Sequence, residues 1–132
     1  MRFKSLSTAL RRTGAAVLCS SLLSCLLASC EPAEKVRLEN AGADEVIFPV
    51  TDAACTEWFA YVNVPDTMLL AKDTDTSIYY GIGTWDASDR ERMEACLLAA
   101  KPYLTVDSSR RPAAYTLTLD GYLDSRLTVR FQ

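Results

Sequence analysis

Few side chains in this sequence are equipped for chemistry. Its 132 residues contain no histidine, which removes Ser-His and Cys-His nucleophile pairs together with the commonest metal ligand. Asp73 and Asp75 alternate as calcium ligands do, but the sixth position of that loop is Ile78 where the bend needs glycine, and the twelfth is Thr84 where a glutamate must chelate. Asp86, Asp89, Glu91 and Glu94 fall close together. Paired carboxylates can serve as acid and base, yet the same cluster suits the positive end of a helix dipole, and a solvated helix start is the reading adopted. The expectation is a non-enzyme with no cofactor and no metal. The remaining reactive groups are five cysteines, Cys19, Cys25, Cys30, Cys55 and Cys96.

Cys30 stands where a greasy run stops and charge begins, in CLLASCEPAEK. Upstream, residues 1–14 carry Arg2, Lys4, Arg11 and Arg12 with no acidic residue, and residues 15–29 are almost wholly apolar or small. That is a positive segment followed by a hydrophobic one, the pattern of a secretory signal. Fifteen residues fall short of the roughly 20 that a bilayer-spanning helix needs. Leu27, Ala28, Ser29 and Cys30 resemble the lipobox of bacterial lipoproteins. A rival box ending at Cys25 puts the bulky Leu23 where a small residue is preferred. The resemblance implies cleavage before Cys30, a diacylglycerol on its sulfur and a third acyl chain, such as palmitate, on its amine. Several chains anchor stably where one binds only marginally. The expected location is the outer membrane, with the domain facing the periplasm.

Processing at that point divides the chain into a cleaved signal peptide, 1–29, a lipidated Cys30 with a short tether to residue 35, and one domain, 36–132. The tether is short enough to hold the domain close to the membrane. Four of the 14 basic residues and none of the 17 acidic ones leave with the signal, so ten against seventeen gives the remainder a net charge of −7. Nucleic acid is not an expected partner of so acidic a domain. Only Cys55 and Cys96 remain for the fold. They lack C-x-x-C spacing and any histidine, so a disulfide is expected in an oxidising compartment rather than a redox or metal pair.

The elements that must carry these residues follow from periodicity. KVRLEN and EVIFPV read as strands, with Pro49 confining the second to an edge or an end, and NAGAD between them suggests a first hairpin. AACTEWFAYVNV, residues 53–64, reads as a strand from its aromatic and β-branched content, although Thr51 or Asp52 could cap a short helix there. In SIYYGIGTW, Ile78, Tyr80 and Ile82 share one face and Tyr79, Gly81, Gly83 and Trp85 the other. The bare glycines flanked by aromatics admit a partner chain or ligand; the alternatives are a helix of this domain packed over them, or a bulge. Ser88 and Glu91 suggest a capping box for an amphipathic helix over about 88–101, with Met93, Cys96, Leu97 and Ala100 on its inner stripe and Pro102 ending it. YLTVD, AAYTLTL and RLTVRF read as strands, SSRRP as a loop carrying Arg110 and Arg111, and Asp120 and Gly121 as a tight turn.

The expected fold is therefore α+β, with a mostly antiparallel sheet or a partly open small barrel and a single helix that brings Cys96 to Cys55. The expected function is binding of a protein partner by a non-catalytic, membrane-anchored lipoprotein. Two roles fit: an inhibitor or immunity protein acting on a toxin or hydrolase, or an accessory of a secretion system, similar in outline to the pilotins. Partner-contact candidates are Tyr79, Gly81, Gly83, Trp85, Arg110 and Arg111.

Overall fold

A computed structural model describes residues 31–60 and 62–132; the expected signal segment and the lipidated Cys30 lie outside the described residues. Ten regular elements follow one another: β1 (Ala33–Asn40), β2 (Val46–Pro49), α1 (Ala53–Phe59), β3 (Thr67–Leu70), β4 (Thr74–Ile82), α2 (Ala87–Ala100), β5 (Tyr103–Val106), β6 (Ser109–Pro112), β7 (Tyr115–Asp120) and β8 (Arg126–Phe131). The fold is α+β, as expected, but the described residues form two helices rather than one. Its strands form two four-stranded sheets, ordered β4-β1-β8-β7 and β3-β2-β5-β6, and do not close into a barrel. Every pairing is antiparallel except β1 with β8.

Alternation sets the faces of the first sheet. β1 buries Val36, Leu38 and Asn40, while β8 buries Leu127, Val129 and Phe131 beside them. The second sheet contributes Val46, Phe48, Met68 and Leu70. Phe48 joins the layers: its ring meets Phe131 of the first sheet and Phe59 of α1, each edge-on with centroids 6.0 Å apart. Pro49 closes β2, where its missing N–H costs no ladder bond.

Residues 53–59 are helical, contrary to the strand expected there. The Asp52 side chain accepts from the Ala54 N–H, and Cys55, Trp58 and Phe59 recur at helical spacing on the buried side. Burial of that stripe outweighs the weak strand preference of its aromatics. The longer α2 also starts one cap earlier than expected. Asp86, not Ser88, is the N-cap, and Asp89 completes a reciprocal box by accepting from the Asp86 N–H. Met93, Cys96 and Leu97 are buried, and Lys101, in the left-handed region at φ 50°, ends the helix before Pro102. The expected disulfide, Cys55–Cys96, ties α1 to α2 with Cα atoms 4.6 Å apart.

The hairpin expected between β1 and β2 does not form, because those strands lie in different sheets. Asn40 redirects the chain: its buried amide donates to the Asp44 and Leu70 carbonyls, and its oxygen accepts from the Gly42 N–H. Nor is SSRRP a loop. Asp107 and Ser108, at φ 49° and 65°, make a two-residue turn that returns β6 along β5. Between β7 and β8, Gly121 at φ 83° leads into a short 3-10 turn, Tyr122–Asp124, in place of a tight hairpin. No helix among the described residues is long and apolar enough to cross a membrane.

Candidate partner-binding site

The expected contact residues fall on two separate edges. Tyr79, Gly81 and Gly83 belong to β4 and the residue following it, at one margin of the first sheet, whereas Arg110 and Arg111 lie on β6, at a margin of the second. Tyr79 is exposed, with the Lys35 ammonium 5.8 Å from its ring centroid. A Cβ added to Gly81 would meet nothing within 4 Å, so no helix covers it; its φ of 135° nonetheless disfavours any L side chain. The bulge alternative is what the register shows: Glu34 faces Gly81 and Lys35 faces Tyr79, leaving Tyr80 as the extra residue. Gly83 lies under the Glu34 carboxylate, which a Cβ would approach to 3.3 Å.

Trp85 departs from the exposed face expected of it. The bulge at Tyr80 shifts the facing of the residues that follow it, and Trp85, beyond the end of β4, is only 8% exposed, its indole N–H donating to the Lys35 carbonyl at 2.8 Å. It packs with Trp58 and Tyr80 at centroid distances of 5.3 Å each. The Tyr80 hydroxyl donates to the Trp58 carbonyl at 2.9 Å, and burial pushes its phenol pKa well up. Nearby, Glu34 titrates above the ordinary glutamate value, first because it is partly desolvated and second because Asp89 repels its charge.

An open cleft of about 490 Å³ at the far end of the first sheet is lined by Arg37, Glu39, Asp73, Asp75 and Arg130 among others. Its charges largely satisfy one another. Arg37 holds Asp75 through two nitrogens, and Arg130 stands 4.0 Å from Glu39. A ligand would have to displace these pairs, so the cleft reads as a self-neutralised surface.

The second sheet offers a different surface. Leu69 of β3 pairs with Ile47 of β2, Ile47 with Tyr103 of β5, and Tyr103 with Pro112 of β6. These four residues form one row across all four strands, on the face opposite the buried Phe48 and Met68, and Leu69 is 62% exposed. The Arg110 guanidinium lies over the Tyr103 ring, 4.5 Å from its centroid. Lys101, Arg110 and Arg111 border the same shallow hollow of about 260 Å³. Among the described residues none of these three cations has a salt-bridge partner, whereas Arg37, Arg92, Arg126 and Arg130 all do. An apolar row, an arginine-stacked tyrosine and unpaired cations at the border together match the anatomy of a protein interface.

Sequence reasoning found Arg110 and Arg111 but missed Ile47, Leu69 and Tyr103. Their signal is the alternation in VIFP, TMLL and YLTV, which assigns each residue an outward position without revealing that the positions are neighbours. Comparisons with protein-family models, with curated proteins and with solved structures find no match for this chain.

Proposed function

We propose that this chain is a non-catalytic lipoprotein of the bacterial cell envelope, held on the outer membrane and facing the periplasm, whose second sheet binds a protein partner as an inhibitor or immunity protein. The anchor rests on Leu27-Ala28-Ser29-Cys30 and the charge step after it. The Cys55–Cys96 disulfide accords with an oxidising compartment. The observation that carries the binding role is the Leu69–Ile47–Tyr103–Pro112 row with Arg110 stacked on Tyr103. Tyrosine and arginine are the residue types on which interfaces most often concentrate their energy.

The test is affinity capture of the full, tagged chain from a crosslinked Gram-negative envelope, with Tyr103→Ala and Arg110→Glu variants alongside. A toxin or lytic hydrolase should be recovered with the native chain. Truncating Tyr103 should cost about 2 kcal/mol, roughly thirtyfold in Kd, with the circular dichroism unchanged. Recovery of a secretin instead would overturn the inhibitor reading in favour of the assembly accessory. Equal capture by native and variant chains would remove this face from the interface.

A further inference from the structure

Among the described residues six large apolar side chains stand at least 62% exposed, and four of them, Tyr79, Ile82, Tyr122 and Leu123, gather around the start of β1. The backbone bonds place them there. Ile82 pairs with Ala33 and Tyr79 with Lys35 at the beginning of the β1–β4 ladder. The Gly83 N–H donates to the Pro32 carbonyl at 3.1 Å. The 3-10 turn that carries Tyr122 and Leu123 is fastened beside them, because the Trp85 N–H donates to the Asp124 carbonyl and the Lys35 N–H to the Ser125 carbonyl, each at 2.9 Å. Within that turn Leu123 is held at φ 52°, a left-handed conformation unfavourable for leucine.

Where the chain continues upstream decides what covers this patch. Cys30 precedes Ala33, the first paired residue, by three positions. Three residues span at most about 11 Å. If Cys30 carries acyl chains, as the proposed function holds and on which this inference rests, the end of the domain around Pro32 must face the bilayer at close range. Its composition suits that position: tyrosines, whose apolar rings and polar hydroxyls favour the membrane–water boundary, beside an isoleucine, a leucine and the stem of Lys35. Glu34 and Asp124 border the patch, so the matching surface is a zwitterionic one rather than a strongly anionic one.

We propose that Tyr79, Ile82, Tyr122 and Leu123 form a second membrane contact, seating the domain on a zwitterionic phospholipid surface beside its lipid anchor. The acyl chains hold the protein to the membrane; the patch sets which end of the domain lies down.

The full chain, purified in its processed form and reconstituted in phosphatidylcholine vesicles, tests this. With Cys30 acylated and Cys55 bonded to Cys96, a Leu123→Cys substitution supplies a free thiol for a fluorescent label, and Leu69→Cys supplies a control on the second sheet. Brominated acyl chains should quench the label at position 123 about threefold more strongly than at position 69. Labels at Ile82→Cys should behave like those at 123, which guards against a local effect of one variant. Equal quenching at 69 and 123 in protein that floats with vesicles and carries the acyl mass overturns the second contact alone. Absence of the acyl mass, with no flotation, overturns the anchor and the contact with it.

Discussion

Opening the Cys55–Cys96 cross-link is the perturbation whose size the fold defines best. The bond joins residues 41 apart in sequence, from the first helix to the middle of the second. In the chain-entropy account, releasing a loop of that length returns about 4 kcal/mol of conformational freedom to the unfolded chain at 25 °C. A domain of about 100 residues has only about 5–15 kcal/mol of net stability, so the bond is a large share of it. The corresponding fall in Tm is roughly 15–30 °C. Two versions of the experiment separate entropy from packing. Reduction leaves both sulfurs in the core, where Cys55 and Cys96 are fully buried. The Cys55→Ala/Cys96→Ala variant removes them and adds a packing loss of about 1 kcal/mol per site. Guanidinium unfolding of the oxidised, reduced and double-alanine proteins gives the three stabilities, and the m-value should rise when the bond is open because the unfolded chain expands. A reduced protein whose stability matches the oxidised one within about 1 kcal/mol would refute this reasoning. It would mean that α1 and α2 are held by burial alone.

Two further perturbations test local features. Asp86→Ala should destabilise the domain by about 1 kcal/mol through loss of the α2 cap, whereas Ser88→Ala should change Tm little; thermal unfolding of both separates the observed cap from the one expected from sequence. Glu34 titrates above its ordinary value of 4.5 in the fold, so the native state holds its proton more tightly than the unfolded chain does. That contribution is fully present below the unfolded pKa and is lost as pH rises through the higher folded one. Glu34→Gln should therefore raise Tm at pH 7, and the gain should disappear below about pH 4.5; a gain that persists in acid would show that charge is not its cause.

How far the sequence revealed the fold depended on whether its signals were local. Val36 and Leu38, Leu117 and Leu119, and Leu127, Val129 and Phe131 alternate plainly, and each run is a strand. The inner stripe of α2 was equally plain. Residues 53–59 were not, because a seven-residue helix gains little from intrinsic propensity and depends on burying Trp58 and Phe59 and on the bond to α2. A strict two-residue period carried through β4 misplaces Trp85, because the bulge at Tyr80 breaks that period and the strand ends at Ile82. The candidate interface was half legible: Arg110 and Arg111 stood out by charge, but joining Tyr103 to Ile47 and Leu69 requires the register of three strands from three separate parts of the chain.

The two proposed surfaces constrain each other through β1. Its eight residues rise about 23 Å from first to last. Ala33 begins the strand beside the exposed Ile82, and Asn40 ends it. The side chain of Asn40 is also the clasp between sheets, since its amide donates to the Leu70 carbonyl of β3 at 2.8 Å. Leu69, the first member of the apolar row, is the residue before Leu70. With β1 standing along the membrane normal, a domain seated on the bilayer by the Ala33 end carries this corner of the row near the other end of β1, about a strand length above the lipid. The membrane contact and the partner contact need not compete for Tyr79 and Gly81. In this arrangement the open β4 margin near Gly81 belongs to the lipid side, and the row from Leu69 to Tyr103 with its stacked arginine is left to an incoming protein.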